Sequence, residues 1–364
     1  MKWFILFSLI FSVTIHAKIN EIELMTYNVE NLFDTRKDEG KDDWTFLPNK
    51  TQGKKEQCQK IKNDKYKKEC LGTDWTDKKL ELKMNQIKRV VSRGKNKLPH
   101  LLALQEVENE SVVSMLAKKL GFVRSITTNG PDERGVDVAL LVNESEDLKV
   151  VGFKEHIVSG ETLKNKPTRP ILEVELTLED QKLFVFVNHW PSQSNPSLSR
   201  VEAAKTVMNR IAQIQKENSN ALIVVTGDFN TLDSDFPHPF KTVLQEGGVL
   251  DNVNEMFMND RSIEWKIKEN MPLGTYFYYP KMQWNMLDYF FVSKNLFDKT
   301  GWDVDLNSFQ IYAPAFATDS KVYKKGHVKH SIVTGAPKGY EHNARTAEKA
   351  GFSDHFPVLI KIKK

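Results

Sequence analysis

Residues 351–362 read GFSDHFPVLIKI. The run from Val358 to Ile362 has the apolar content of a core strand. Ser353, Asp354 and His355 stand at its mouth, and two of the three titrate. Polar groups carried into a core cost free energy unless they are partnered there, so their position asks for a function. Working outward, the same arrangement recurs along the chain. Buried-looking strands are predicted at EIELMTYNV (21–29), HLLALQEV (100–107), VDVALLV (136–142), ILEVELTL (171–178), KLFVFVNHW (182–190), ALIVVTGDF (221–229), LDYFFVS (287–293) and PVLIKI (357–362). Few helices separate them. Lys78–Arg93 carries Leu80, Met84, Ile87 and Val91 on one stripe, and Arg200–Glu217 forms a second helix. Antiparallel or mixed sheets therefore fit better than a parallel one, and two sheets packed face to face with helices outside would bury this many strands. Residues 35–79 read as a charged insertion and 314–349 as a long loop.

Polar residues gather at one end of these strands. Asn28 and Glu30 follow the first, Gln105 and Glu106 end the second, and Asn188 and His189 end another. Asp228 and Asn230 follow the strand at 221–229, Asp288 opens the one at 287–293, and Asp354 and His355 precede the last. Strands that repeatedly end in polar groups predict a shared rim where a sheet scaffold presents a site. The rim is rich in carboxylates, with three Asn and two His and no thiol. Hard oxygen donors suit Mg²⁺, Mn²⁺ or Ca²⁺, whereas zinc draws more on His and Cys. Singly, Asp228, Asn230 and Asn28 read as turn residues, and His189 and His355 as satisfied core histidines. Together they read as chemistry.

TYNVENLF, ALQEVEN, NHWPS, VTGDFN, LDYFFVS and FSDHFPV, in this order from about Glu23 to Ile362, resemble the motifs of the endonuclease/exonuclease/phosphatase (DNase I-like) superfamily. The resemblance implies a four-layer α/β/β/α sandwich, two mixed sheets flanked by helices, in one domain over 18–364. It also implies metal-dependent cleavage of phosphoesters. By similarity Glu106 is the principal metal ligand, with Asn28, Glu30 and Asp354 completing or supporting the site. Mg²⁺ is the implied cofactor, and Mn²⁺ and Ca²⁺ are alternatives. Asp228 orients or deprotonates the attacking water and Asn230 fixes that geometry. His355, held by Asp288, binds the scissile phosphate, and His189 acts on its other side. Which imidazole is acid and which is base stays open at this level. Arg134, Arg169 and Arg200 are candidate phosphate contacts, with structural salt bridges as the alternative.

Composition narrows the setting. Lys2 followed by apolar Trp3–Ile15 and Ala17 reads as an export signal over 1–17, with an uncleaved anchor as the alternative. Without it the chain has 51 Lys+Arg against 48 Asp+Glu, a mild excess that permits a polyanionic substrate without arguing for one. Cys58 and Cys70 are the only cysteines. On one straight helix they would lie about 18 Å apart, so either the segment bends and a disulfide closes or both thiols are free. Export favours the bend. The lysine run 54–68 reads as a solvated face, with a phosphate backbone as its alternative partner. The expected protein is a secreted or periplasmic, monomeric phosphodiesterase acting on nucleic acid, DNA before RNA. Alternatives are a sphingomyelinase-like lipid phosphodiesterase, a phosphomonoesterase and a non-catalytic binding module.

Overall fold

The computed structural model describes residues 18–94, 97–164, 166–319, 322–325, 328–332 and 335–364, without the side chains of 320–334. The expected export signal lies outside the described residues. One six-stranded sheet contains β1 (Glu21–Leu32), β2 (Leu101–Val107), β3 (Arg124–Thr127), β4 (Asp137–Val142), β13 (Asp303–Ile311) and β18 (Val358–Lys363), in the order β13-β18-β1-β2-β4-β3. The other contains β5 (Leu148–His156), β6 (Ile171–Leu178), β7 (Gln181–His189), β8 (Leu222–Asp228), β9 (Leu250–Asn252) and β12 (Asp288–Ser293), in the order β5-β6-β7-β8-β12-β9. Three two-stranded ribbons pair β10 (Tyr276–Tyr278) with β11 (Gln283–Asn285), β14 (Thr318–Asp319) with β17 (Ala336–Pro337), and β15 (Val322–Lys325) with β16 (Val328–Ile332). The helices are α1 (Lys54–Lys60), α2 (Asp64–Gly72), α3 (Asp77–Val91), α4 (Glu110–Leu120), α5 (Ser197–Glu217), α6 (Val253–Asn259), α7 (Trp265–Glu269) and α8 (Ala347–Ala350). Each large sheet holds one parallel pair, β1 with β2 and β7 with β8, and is otherwise antiparallel. Helix α3 lies in the first crossover and α5 in the second. This is the expected mixed four-layer sandwich.

Strand periodicity sorts the side chains into three cores. In β1, Ile22 and Leu24 enter the layer between the sheets, while Met25, Tyr27 and Val29 face the helical layer of α3 and α4. In β7 and β8, Leu183, Val185, Val187, Leu222 and Val224 point between the sheets, while Phe184, Phe186, Ile223 and Val225 pack in the layer of α5. Successive side chains alternate faces with period two. Extending each inward stripe by its own period reaches Asn28 on β1, His189 on β7, Asp228 on β8 and Asp288 on β12. The catalytic-type residues are thus the polar ends of the stripes that build the central core. Neighbouring strands bring three of them level, because His189 and Asp288 both pair in register with Asp228. Gly227 is needed beside them: at φ +132°, its Cβ would lie 2.0 Å from the Asn188 carbonyl oxygen.

The structure departs from expectation in several places. The first strand continues past Asn28 and Glu30 to Leu32, and its pairing with β2 shifts register between Asn28 and Leu32. Residues 314–349 are not one loop but contain four short strands, β14 to β17, and most of α8. The edge strands β3 and β13 escaped reading because polar residues cover their exposed faces, and β5 because its exposed face mixes Val151 and Phe153 with Lys149 and Glu155 and so blurs the alternation. The 35–79 segment folds α1 and α2 into a hairpin closed by Cys58–Cys70, with Cα atoms 5.5 Å apart. Its bend falls at 61–63, where the Asn63 carbonyl oxygen Oδ1 caps α2 by accepting from the Lys65 and Tyr66 amides. Lys54 is buried and donates to the Leu47 and Thr73 carbonyls. Among the described residues no helix is long and apolar enough to cross a membrane.

Candidate active site

Two β-bulges aim the acids. Glu30 and Glu106 adopt φ of 54° and 61°, left-handed conformations that a non-glycine residue holds only where its surroundings enforce them. A regular strand would alternate Glu106 away from the layer between the sheets. The bulge returns it, and the Asn28 amide Nδ2 donates to Glu106 Oε1 at 3.3 Å and to Asp228 Oδ2 at 3.0 Å. The Asn28 Oδ1 accepts from the Glu30 amide. Asn28 therefore stitches the two sheets together at the rim.

Glu30 has a bracing position. Its Oε2 accepts from the Tyr340 amide at 2.6 Å and the Asp354 amide at 2.8 Å. Burial, then the neighbouring Asp354, holds the Glu30 carboxyl well above its usual range. Asp354 is itself pushed to about 6, by burial first and by Glu106 against the pull of His355. Lys83 lies beneath, fully buried, donating to the Glu30 carbonyl at 3.0 Å with its ammonium 3.9 Å above the Tyr340 ring. Carboxylates forced together in this way favour a cation. The oxygen donors Glu106, Asn28, Asp354 and the free Oε1 of Glu30 fit a hard divalent ion. Asp228, Asp288 and His355 form a second cluster that could hold a metal, with ligand atoms within 4.8 Å of one another.

The two imidazoles are pushed in opposite directions. His355 Nδ1 lies 2.8 Å from Asp288 Oδ2, and its Nε2 is 3.9 Å from Asp228 Oδ2. Burial alone would lower its pKa, but Asp288, helped by Asp228 and Asp354, holds it well above the usual imidazole range. His189 Nε2 lies 3.6 Å from Asp228 Oδ2 and 3.9 Å from Glu106 Oε1, while its Nδ1 is buried without a partner. Burial, with Arg169, Arg134 and His355 nearby, holds it well below that range. Asp228 between them is raised to about 7, chiefly by burial and against His355. Its Oδ1 accepts from the Asn230 amide at 2.9 Å. Asn230, at φ 48°, also donates from Nδ2 to the Trp190 carbonyl. Ser353 donates from Oγ to the Asn28 carbonyl and accepts the His355 amide, so it fixes the turn that carries both motif residues.

The arginines separate. Arg134 is exposed at 60% of its side chain and paired with Asp132. Arg169 is buried, spanning Asp132 and the Trp190 carbonyl, the same carbonyl that Asn230 holds. Arg200 corrects the expectation. It is 1% exposed, doubly bonded to Asp235, and donates to the carbonyls of Pro191 and Ser192, so it clamps loops and presents nothing to a substrate. Trp190 is core, packed on Phe229. Two residues at the site were missed. Tyr276 pairs through its backbone with His355, with ring centroids 5.0 Å apart. Nothing in GTYFYYPKMQW marks it from sequence. Lys83 left one trace, a lysine inside the apolar stripe of α3.

A model of the endonuclease/exonuclease/phosphatase family matches residues 23–364. Among solved structures, an endonuclease/exonuclease/phosphatase family protein from Bacteroides thetaiotaomicron is 15% identical, with 94% of this chain and 97% of that one covered and a TM-score of 0.51. TDP2 from D. rerio, complexed with a single-strand DNA product, is 15% identical over 94% and 99%, with a TM-score of 0.52. The human Nocturnin catalytic domain with bound sulfate is 14% identical over 95% and 96%, with a TM-score of 0.52. No curated protein matches the sequence significantly. With the family match spanning nearly every described residue and the fold shared throughout, the chain belongs to the endonuclease/exonuclease/phosphatase family and is a phosphoester hydrolase.

Proposed function

We propose that the protein is an exported, divalent-metal-dependent phosphodiesterase that cuts nucleic acid internally, DNA before RNA. The observation that carries the reading is a buried Asp228 set between two oppositely tuned imidazoles. Glu106, Asn28 and Asp354, with Glu30 in support, would hold Mg²⁺ (Mn²⁺ or Ca²⁺ being alternatives), which would supply positive charge to the phosphate oxygens when bound. Asp228 accepts the proton of the attacking water, and a carboxyl raised to about 7 is matched to that task near neutral pH. Asn28 and Asn230 fix its two oxygens. The new bond joins the water oxygen to phosphorus, and the bond to the leaving oxygen breaks in line with it. His355 carries the proton and the charge, so it pairs with the phosphate and is the group able to protonate the leaving oxygen. Neutral His189 can donate its one N–H in a hydrogen bond to the other side of the phosphate but has no acidic proton to transfer. Asp288 fixes the His355 tautomer. Arg134, at the exposed edge, is placed to meet a flanking phosphate.

The Cys58–Cys70 disulfide supports an oxidising destination, secreted or periplasmic. D. rerio TDP2, caught with a DNA strand, supports a fold able to seat one. The test is nicking of supercoiled plasmid by residues 18–364 with Mg²⁺, Mn²⁺ or Ca²⁺ against EDTA, beside Glu106→Ala and His355→Ala. The expected result is metal-dependent nicking lost in both variants. If DNA and RNA stay intact with every metal while sphingomyelin or a phosphomonoester is hydrolysed, the nuclease reading fails. Export is checked separately: protein recovered outside the cytoplasm should begin at Lys18.

A further inference from the structure

The disulfide-closed hairpin of α1 and α2 has no part in the site just described, yet its charge and position are unusual. Residues 54–72 carry seven lysines against Glu56, Asp64 and Glu69, a net +4. The whole chain has a formal net charge of +4. The remainder of the molecule is thus balanced, and its entire excess of positive charge sits in one small element. Lys54 is spent inside the hairpin, where it ties the carbonyls of Leu47 and Thr73. Lys55, Lys60, Lys62, Lys65 and Lys68 are exposed and Lys67 is half-exposed. Among the described residues none of these six has an ion-pair partner, although acids lie on the same two helices. Tyr66 stands among them, 57% exposed, with the Lys65 ammonium over its ring.

The hairpin also points somewhere. The chain leading into it is pinned to the loop that carries Arg134. The Lys41 ammonium donates to the Gly130 carbonyl at 2.6 Å and the Asp132 carbonyl at 3.0 Å, and the Asp42 amide donates to the Glu133 carbonyl at 2.6 Å. Arg134 lies within electrostatic reach of both Glu106 and Tyr66. Arg134 is thus a neighbour of the acid cluster and of the hairpin that carries Tyr66 and the exposed lysines. The disulfide, the Lys54 clamp and the Asn63 cap hold the hairpin rigid, so little ordering entropy opposes a ligand that lies along it.

We infer that the α1–α2 hairpin is a docking surface for the phosphate backbone of the nucleic-acid segment flanking the scissile bond, with Arg134 as the link between dock and active site. Lysines spaced along two short helices meet successive phosphates, and Tyr66 offers a ring on which an unpaired base can stack. This inference rests on the nucleic-acid reading above and specifies where the strand leaves the site.

The experiment separates the two. Binding of a fluorescein-labelled 20-base-pair duplex is followed by anisotropy in EDTA across a salt series. Wild type is compared with a Lys55→Gln, Lys62→Gln, Lys65→Gln, Lys68→Gln variant, whose changes lie at exposed positions of the two helices and the bend between them. Hydrolysis of bis(p-nitrophenyl) phosphate with Mn²⁺ reports the chemical site. The expected variant hydrolyses the small diester at the wild-type rate, but loses about 0.9 from its log K against log salt slope for each phosphate contact removed, or roughly 3.6 for the four. Its duplex affinity at low salt falls at least tenfold. An unchanged slope and affinity overturn the dock while leaving the nuclease reading intact. Wild type that hydrolyses the small diester but neither binds nor cuts nucleic acid overturns both. Lysine-dependent binding to phosphatidylserine vesicles in place of duplex assigns the surface to membranes and overturns the dock.

Discussion

His355 owes its charge to Asp288. Burial works against an imidazolium, and the contact at 2.8 Å reverses that effect. Because the folded pKa is raised, the charged form persists to higher pH than in a free imidazole and is lost as pH climbs through the raised value. Asp288→Asn removes the anion, so the alkaline limb of kcat/KM should move to lower pH, and the rate at neutral pH should fall about 10²- to 10⁴-fold. A fall in rate with the alkaline limb unmoved would mean that Asp288 serves only as a strut. Lys83 makes a different case. Lys83→Met keeps the volume but leaves the Glu30 and Phe352 carbonyls without their donor, at a cost of about 2 kcal/mol in a thermal or urea unfolding series. An unchanged unfolding midpoint would show that the ammonium is not holding those carbonyls. At this scale Asn28, His189, Asp228 and Asp288 were legible, because strand alternation alone carries them to the inner face. The aim of Glu106 was not, since a left-handed non-glycine residue leaves no mark in sequence. Neither was Tyr276, which reaches His355 through a ribbon of its own, nor the full engagement of Arg200, which depends on Asp235 folding back against it.

Among the elements, the strands buried on both faces were read nearly to their ends, while β13 hid behind its own solvent-facing polar residues and β5 behind a solvent face that mixes Val151 and Phe153 with charges. Beta6 (that is, β6) shows what fixes such an edge. Glu173 on it is buried, paired with His156 of β5 at 2.6 Å and with Arg210 of α5 through Nε at 2.7 Å and Nη2 at 2.9 Å. Burial would raise its pKa, but His156 and Arg210 bring the carboxyl down to about 2. A depressed folded pKa contributes stability that is present above the unfolded value, near 4.3, and is lost as pH falls from there through about 2. Glu173→Gln should therefore cost about 2 kcal/mol at pH 7 and flatten the stability curve between those two pH values. A parallel downward displacement of the whole curve would count against the ionic account. The hairpin of α1 and α2 was readable only as a choice, because two cysteines twelve residues apart fit one bend or no bond. Asn63, a capping residue at the middle of the interval, was the feature that could have decided it.

Across the whole molecule, the central layer does two jobs. It is the largest apolar core, and its one polar end is the active site. The same packing that joins the sheets therefore holds Glu30, Glu106, Asp228 and Asp354 close together, at a cost of burial first and of neighbouring negative charge second, visible in the raised pKa values of Glu30, Asp228 and Asp354. A divalent ion that binds only the folded chain relieves this cost and stabilises the whole by mass action, about 2.7 kcal/mol at a hundredfold excess over Kd. For a chain of this length that corresponds to a rise in Tm of roughly 3.5 °C. Differential scanning calorimetry with and without Mg²⁺ or Mn²⁺ should show the rise, and EDTA should reverse it. Glu106→Gln removes one charge from the repelling group and one ligand from the ion. It should melt no lower than wild type in EDTA and respond to metal weakly or not at all. Two results would break the link between fold and metal: a wild type indifferent to metal, or a Glu106→Gln variant that gains as much as wild type. In the second case the ion would belong instead to the Asp228–Asp288–His355 cluster, whose ligand atoms lie within 4.8 Å of one another, and Asp288→Asn would then be the variant that loses the shift.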